Sequence, residues 1–116
     1  MMKFVTQLKR IFASKVVEKG YSGYAPTTES KVIDVEGEYY IRNVFIYNGS
    51  SAAAKVSVYS GDPNAGGVLI FYVSLPAGNS INLTDLKGLS ASSNIYLVSD
   101  QSGVFVVLGG EDFLTR

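Results

Sequence analysis

Cysteine and histidine are both absent from the chain, and these two absences remove most of the reactive chemistry open to a protein of this size. Without cysteine there is no disulfide and no thiolate metal site. Without histidine the commonest general base, metal ligand and pH switch is gone, and with it every nucleophile–base pair built on Ser/His or Cys/His. Tryptophan is also missing, proline occurs three times, and charged residues make up only 17% of 116, against roughly 25% in an average soluble chain. No apolar run approaches the ~20 residues of a membrane-spanning helix. Nor does the N-terminus read as a secretory signal, because Lys9, Arg10 and Lys15 interrupt the stretch that would have to be apolar. The triplets Asn48-Gly49-Ser50 and Asn82-Leu83-Thr84 match the glycosylation pattern, but with no export signal they read as turn and strand chemistry.

What is present favours sheets. Hydrophobic residues are 47% of the chain, with 12 Gly, 8 Tyr and 6 Phe. That is enough apolar side chain for one domain with a core of its own. A net charge of zero predicts association in place of high solubility. The charges are unevenly placed: residues 1–20 carry Lys3, Lys9, Arg10, Lys15 and Lys19 against Glu18 alone. A basic arm on a mildly acidic body can seek an acidic surface, or its charges can simply solvate a terminal segment.

Within residues 1–20, Phe4, Val5, Leu8, Ile11 and Phe12 recur at helical spacing, and Gly20 is a natural stop. The arm is expected to be helical, although residues 13–19 equally fit an edge strand. Residues 21–30 have linker composition. Residues 31–110 read as a body of short strands with Gly, Asn and Pro at the turns, and 111–116 as a C-terminal tail after Gly109-Gly110. The longest apolar run, Val68 to Leu75, reads as a central strand buried through Leu69, Phe71, Val73 and Leu75. Asn48-Gly49-Ser50-Ser51 reads as a turn suited to positive φ, and Gln101-Ser102-Gly103 as a tight hairpin. Short strands at this spacing predict an all-β fold, an antiparallel β-sandwich of 7–8 strands, jelly-roll or immunoglobulin-like.

Catalysis needs convergent polar groups, and few candidates exist. Glu36/Glu38 and Glu111/Asp112 are the neighbouring carboxylates, and both pairs read as solvated turn or terminal residues. Asp62-Pro63-Asn64-Ala65-Gly66 contains a fragment of a calcium loop, but it lacks the closing bidentate Glu. No phosphate-binding or dinucleotide motif is present, and no catalytic residue, cofactor or metal is expected. The body's basic residues Lys31, Arg42, Lys55, Lys87 and Arg116 are scattered, with no aromatic platform among them, so direct nucleic-acid binding is not expected either. What remains is adhesive surface. Tyr59, Tyr72, Tyr96, Phe105 and Val107 fall on the parity opposite the core, while Tyr21 and Tyr24 sit as anchors in the linker. Tyr21, Tyr24, Tyr59, Tyr72, Tyr96 and Phe105 are therefore the candidate subunit contacts.

The run Ile41 to Tyr59 ends a strand in Asn-Gly-Ser-Ser and resumes as Val56-Ser57-Val58-Tyr59, and Val73 to Leu83 follows with Ala77-Gly78-Asn79-Ser80-Ile81-Asn82-Leu83. This hairpin grammar, over about residues 39–108, resembles small β-sandwich virion proteins of tailed bacteriophages. The resemblance implies a non-enzymatic decoration or cement protein in the virion, a homo-oligomer with a trimer favoured, bound to the major capsid protein or another virion protein. It also implies an arm docked through Phe4, Leu8, Arg10, Ile11 and Phe12. A tail, neck or baseplate component is the nearest variant. From another class comes a carbohydrate-binding or adhesion module, with Tyr21, Tyr24, Tyr59 or Tyr96 as stacking platforms.

Overall fold

Strands that are apolar on one face must bury that face against another sheet, and this chain does so with two. A computed structural model describes residues 15–84, 86 and 88–114. Among them are nine strands: β1 Lys15–Tyr24, β2 Ser30–Ile33, β3 Glu38–Asn48, β4 Ala54–Ser60, β5 Val68–Leu75, β6 Ser80–Leu83, β7 Ser90–Ala91, β8 Ile95–Ser99 and β9 Val104–Leu114. One sheet has the order β1-β9-β3-β6, with β7 on the Tyr39–Tyr40 end of β3; the other has the order β2-β8-β4-β5. Every pairing is antiparallel.

The order identifies the fold. With the two-residue β7 set aside, the first strand pairs with the last, the second with the last but one, β3 with β6 and β4 with β5. This is one long antiparallel ribbon, doubled at the β4–β5 loop and rolled into two sheets: a jelly roll. The core lies between the sheets. Ile41, Val44, Ile46, Val104, Val106 and Leu108 from one meet Ile33, Val56, Val58, Ile95 and Leu97 from the other, and all of these are buried.

Several expectations need correction. β5 is not central; it is the outer strand of its sheet. A bulge in the β4–β5 ladder between Val58 and Tyr59 leaves Ile70 as an extra residue. Phe71, Val73 and Ile70 reach the core, while Val68 and Leu69 do not. The arm–linker division at Gly20 is absent, because β1 runs unbroken from Lys15 to Tyr24, in line with the edge-strand alternative for residues 13–19. The sheet does not stop at Gly109-Gly110 either, since β9 continues to Leu114. Gln101-Ser102-Gly103 is a crossing between sheets and not a hairpin, and β4–β5 is the one hydrogen-bonded pair of consecutive strands among the described residues. At the β3–β4 corner Gly49 has no positive φ. The buried Asn48 side chain makes the corner instead: its Nδ2 donates to the carbonyls of Ala52 (2.9 Å) and Leu75 (3.0 Å), and its Oδ1 accepts from the Ser50 N–H (3.0 Å). The arm residues Phe4, Leu8, Arg10, Ile11 and Phe12 lie outside the described residues.

Candidate interaction surfaces

On the outer face of the β1-β9-β3 sheet, the register sets Tyr24 opposite Phe105 and Phe105 opposite Tyr47. The next outward row is Ser22, Val107 and Phe45. Tyr24 and Phe105 meet edge to face with ring centres 5.8 Å apart. Tyr24 is 68% exposed and Tyr47 is 44% exposed, although both are large and mostly apolar. With Phe45, Gly49 and Gly103 these rings line an open cavity of about 540 Å³. The lining offers two phenol hydroxyls and bare backbone at the glycines, with no charged or amide side chain. Such a patch favours burial against another apolar surface.

Phe45 and Tyr47 are the members that sequence reasoning missed. They share the parity of the buried Ile41, and the bulge between Ile41 and Asn43 turns that parity outward beyond it. After it Val44, Ile46 and Asn48 are the buried set. Tyr21 is a correction of the opposite kind: it packs against the core and donates its hydroxyl to the Tyr24 carbonyl at 2.6 Å. It braces Tyr24 from beneath and is not itself an outward contact. Tyr59 and Tyr96 sit directly opposite each other across β4 and β8, both half-buried. Tyr72 lies on the outer strand β5, 55% exposed, with the Lys55 ammonium 4.5 Å from its ring centre. The six tyrosine and phenylalanine candidates therefore divide between two sheets and form no single site.

The polar groups are committed to structure. Asp112 faces inward from β9 and is fully buried. Its carboxylate accepts from Lys19 Nζ at 2.8 Å, from the Glu36 N–H at 2.8 Å and from the Gly37 N–H at 3.0 Å. Burial pushes this carboxyl upward, but the Glu36 N–H, the Lys19 ammonium and the Gly37 N–H outweigh it and hold the group below the usual carboxylate range. Tyr39 donates to the Lys19 carbonyl at 2.7 Å, and burial together with the Asp112 charge raises its phenol. Adjacent Glu111 points the other way and pairs with Arg42 at 3.1 Å. Glu111 and Asp112 thus serve two separate ion pairs on opposite faces, and the expectation that Asp112 is a solvated terminal residue fails. The calcium-loop fragment is a single 3-10 turn at Pro63–Ala65, where the Asp62 carboxylate accepts from the Asn64 N–H at 2.9 Å and so caps the turn. Among the described residues no three Asp or Glu side chains gather as a metal site, and no helix is long and apolar enough to cross a membrane.

No protein-family profile and no curated protein matches the chain. Among solved structures it is similar to a subunit described under the words "Bacillus endospore appendages form a novel family of disulfide-linked pili", with a TM-score of 0.54 and 10% identity over 88% of this chain and 90% of that one. At that identity the likeness shows the fold, and this chain has no cysteine with which to make the cross-link those words describe. The chain is an all-β sandwich with the architecture of that appendage subunit.

Proposed function

We propose that this chain is a non-catalytic structural protein that works by packing against copies of itself and against a larger lattice. In its finer form the lattice is the capsid of a tailed bacteriophage, which the chain decorates, with residues 1–14 as the attachment arm. The observation that carries the reading is the aromatic face of Tyr24, Phe45, Tyr47 and Phe105, too apolar to be left to water and too poor in polar groups for a reaction. Further support comes from Asp112 and Glu111, whose carboxylates are held in ion pairs, and from Asp62, which caps a turn. The fold it shares with a pilus subunit is compatible with a building block.

The test compares the full chain with the Tyr24→Ser/Tyr47→Ser double variant by light scattering and by co-sedimentation with purified virions. Expected are oligomers and particle binding for the natural chain and at least a ten-fold loss of one or both for the variant. Monomeric protein that ignores the particles would overturn the reading. The arm should be tested by deleting residues 1–14, because deletion to residue 20 would also remove six residues of β1. The carbohydrate alternative needs polar groups that orient sugar hydroxyls, and the aromatic cavity has only two phenols. A glycan-array signal lost in the same double variant would favour it.

A further inference from the structure

A sheet can accept another chain along its outer strands, where backbone N–H and C=O groups point away without a strand partner. β2 and β6 are only four residues each. β1 is longer but carries Lys15, Glu18 and Lys19, charges of the kind that blunt an edge. β5 has neither protection: its eight residues hold no charge and no proline. Val68, Leu69 and Tyr72 on this one strand are three of the five large apolar side chains exposed on the described surface, at 66%, 45% and 55%.

We propose that β5 pairs antiparallel with β5 of a second copy of this chain about a two-fold axis at Tyr72, joining two four-stranded sheets into one of eight. This rests on the self-association reading above and names a joint for it, separate from the aromatic face. The occupant follows from charge and register. An uncharged edge gains nothing from a basic or acidic strand, and its own copy brings neither repulsion nor a stranded ion. Directly opposed residues of an antiparallel pair lie on the same face. A two-fold axis perpendicular to the sheet keeps every residue on its own face, so residues of equal parity must oppose one another. Centring on Tyr72 sets its ring against its counterpart on the outer face. It also sets Phe71 against Val73 on the inner face, and both already pack against the core. The apolar inner surface then continues across the joint, while Lys55 is held over its own Tyr72 ring.

An eight-residue strand is about 26 Å long, and one such pairing falls short of the ~800 Å² per partner of a standard interface. The isolated dimer is therefore weak, with a dissociation constant on the order of 10 μM to 1 mM, and the contact gains strength where a lattice repeats it.

Sedimentation velocity of the full chain from about 5 μM to about 1 mM should show a concentration-dependent dimer. Tyr72→Lys, at an exposed position, sets two ammonium groups against each other on the axis and should weaken the dimer at least ten-fold with unchanged circular dichroism. Because the chain has no other cysteine, oxidation gives an independent reading. Tyr72→Cys should cross-link, since directly opposed Cα atoms ~4.5–5.5 Å apart are within disulfide reach. Ser74→Cys should not, lying about 13 Å from its counterpart. Unchanged dimerisation of Tyr72→Lys, or equal cross-linking of the two cysteine variants, overturns the joint but leaves self-association through the aromatic face standing. A natural chain that stays monomeric throughout overturns both.

Discussion

A carboxylate removed from water must be given partners that replace water, and Asp112 has three of them. Two are backbone N–H groups of the turn between β2 and β3, so a residue on the last strand fixes a turn far away in sequence. Its pKa is lowered by folding. The stability it contributes is therefore complete above the unfolded value of ~3.9 and is lost as pH falls through that value towards the lower folded one. Urea midpoints should be flat between about pH 6 and 8 and should drop below about pH 4. Asp112→Asn would turn an amide NH₂ either towards the Gly37 N–H or towards the Glu36 N–H and the Lys19 ammonium together. It should cost about 2–4 kcal/mol at neutral pH and flatten the acid limb. An acid limb as steep in that variant as in the natural chain would show that another group is responsible.

At the scale of the strand, β9 carries the molecule, pairing with β1 on one side and with β3 on the other. Its two glycines mark close approach and not an end. A Cβ on Gly110 would run into the Tyr40 carbonyl oxygen and the Tyr39 ring, both backbone-held or buried. Gly110→Ala should destabilise by about 2–4 kcal/mol, as overpacking with a backbone shift does, and a thermal melt would read this directly. Gly109 lies under the Asn43 side chain, which can swing away, so Gly109→Ala should cost less. Equal losses at the two positions would show that the Tyr40 carbonyl and Tyr39 ring are not what sets the cost at Gly110.

For the whole molecule, a ribbon rolled so that its first strand meets its last depends on both of those strands, β1 and β9. The stretch 111–116, expected as a tail, contains Asp112, Phe113 and Leu114, all buried. Truncation after Gly110 removes the polar lock and the Tyr40–Phe113 contact, whose ring centres are 5.2 Å apart. It should leave a chain that no longer melts cooperatively, whereas a true tail would leave the melt unchanged. Charge acts at this scale too. With a net charge of zero, copies of the chain carry no net long-range repulsion between them.

Composition and short-range pattern determined that the chain is a β-sandwich: alternation in β4 and turn residues between short apolar runs act locally. Pairing was decided only in three dimensions, because a strand's own residues do not state which distant strand completes its hydrogen bonds. For that reason Val68 to Leu75, apolar enough for a sheet centre, sits at an edge, and the 8–12-residue spacing conceals crossings between sheets where hairpins were expected. The aromatic face was half legible through Tyr24 and Phe105. Phe45 and Tyr47 stayed hidden because one inserted residue in β3 reverses the parity beyond it, and a bulge leaves no mark in the order of apolar residues.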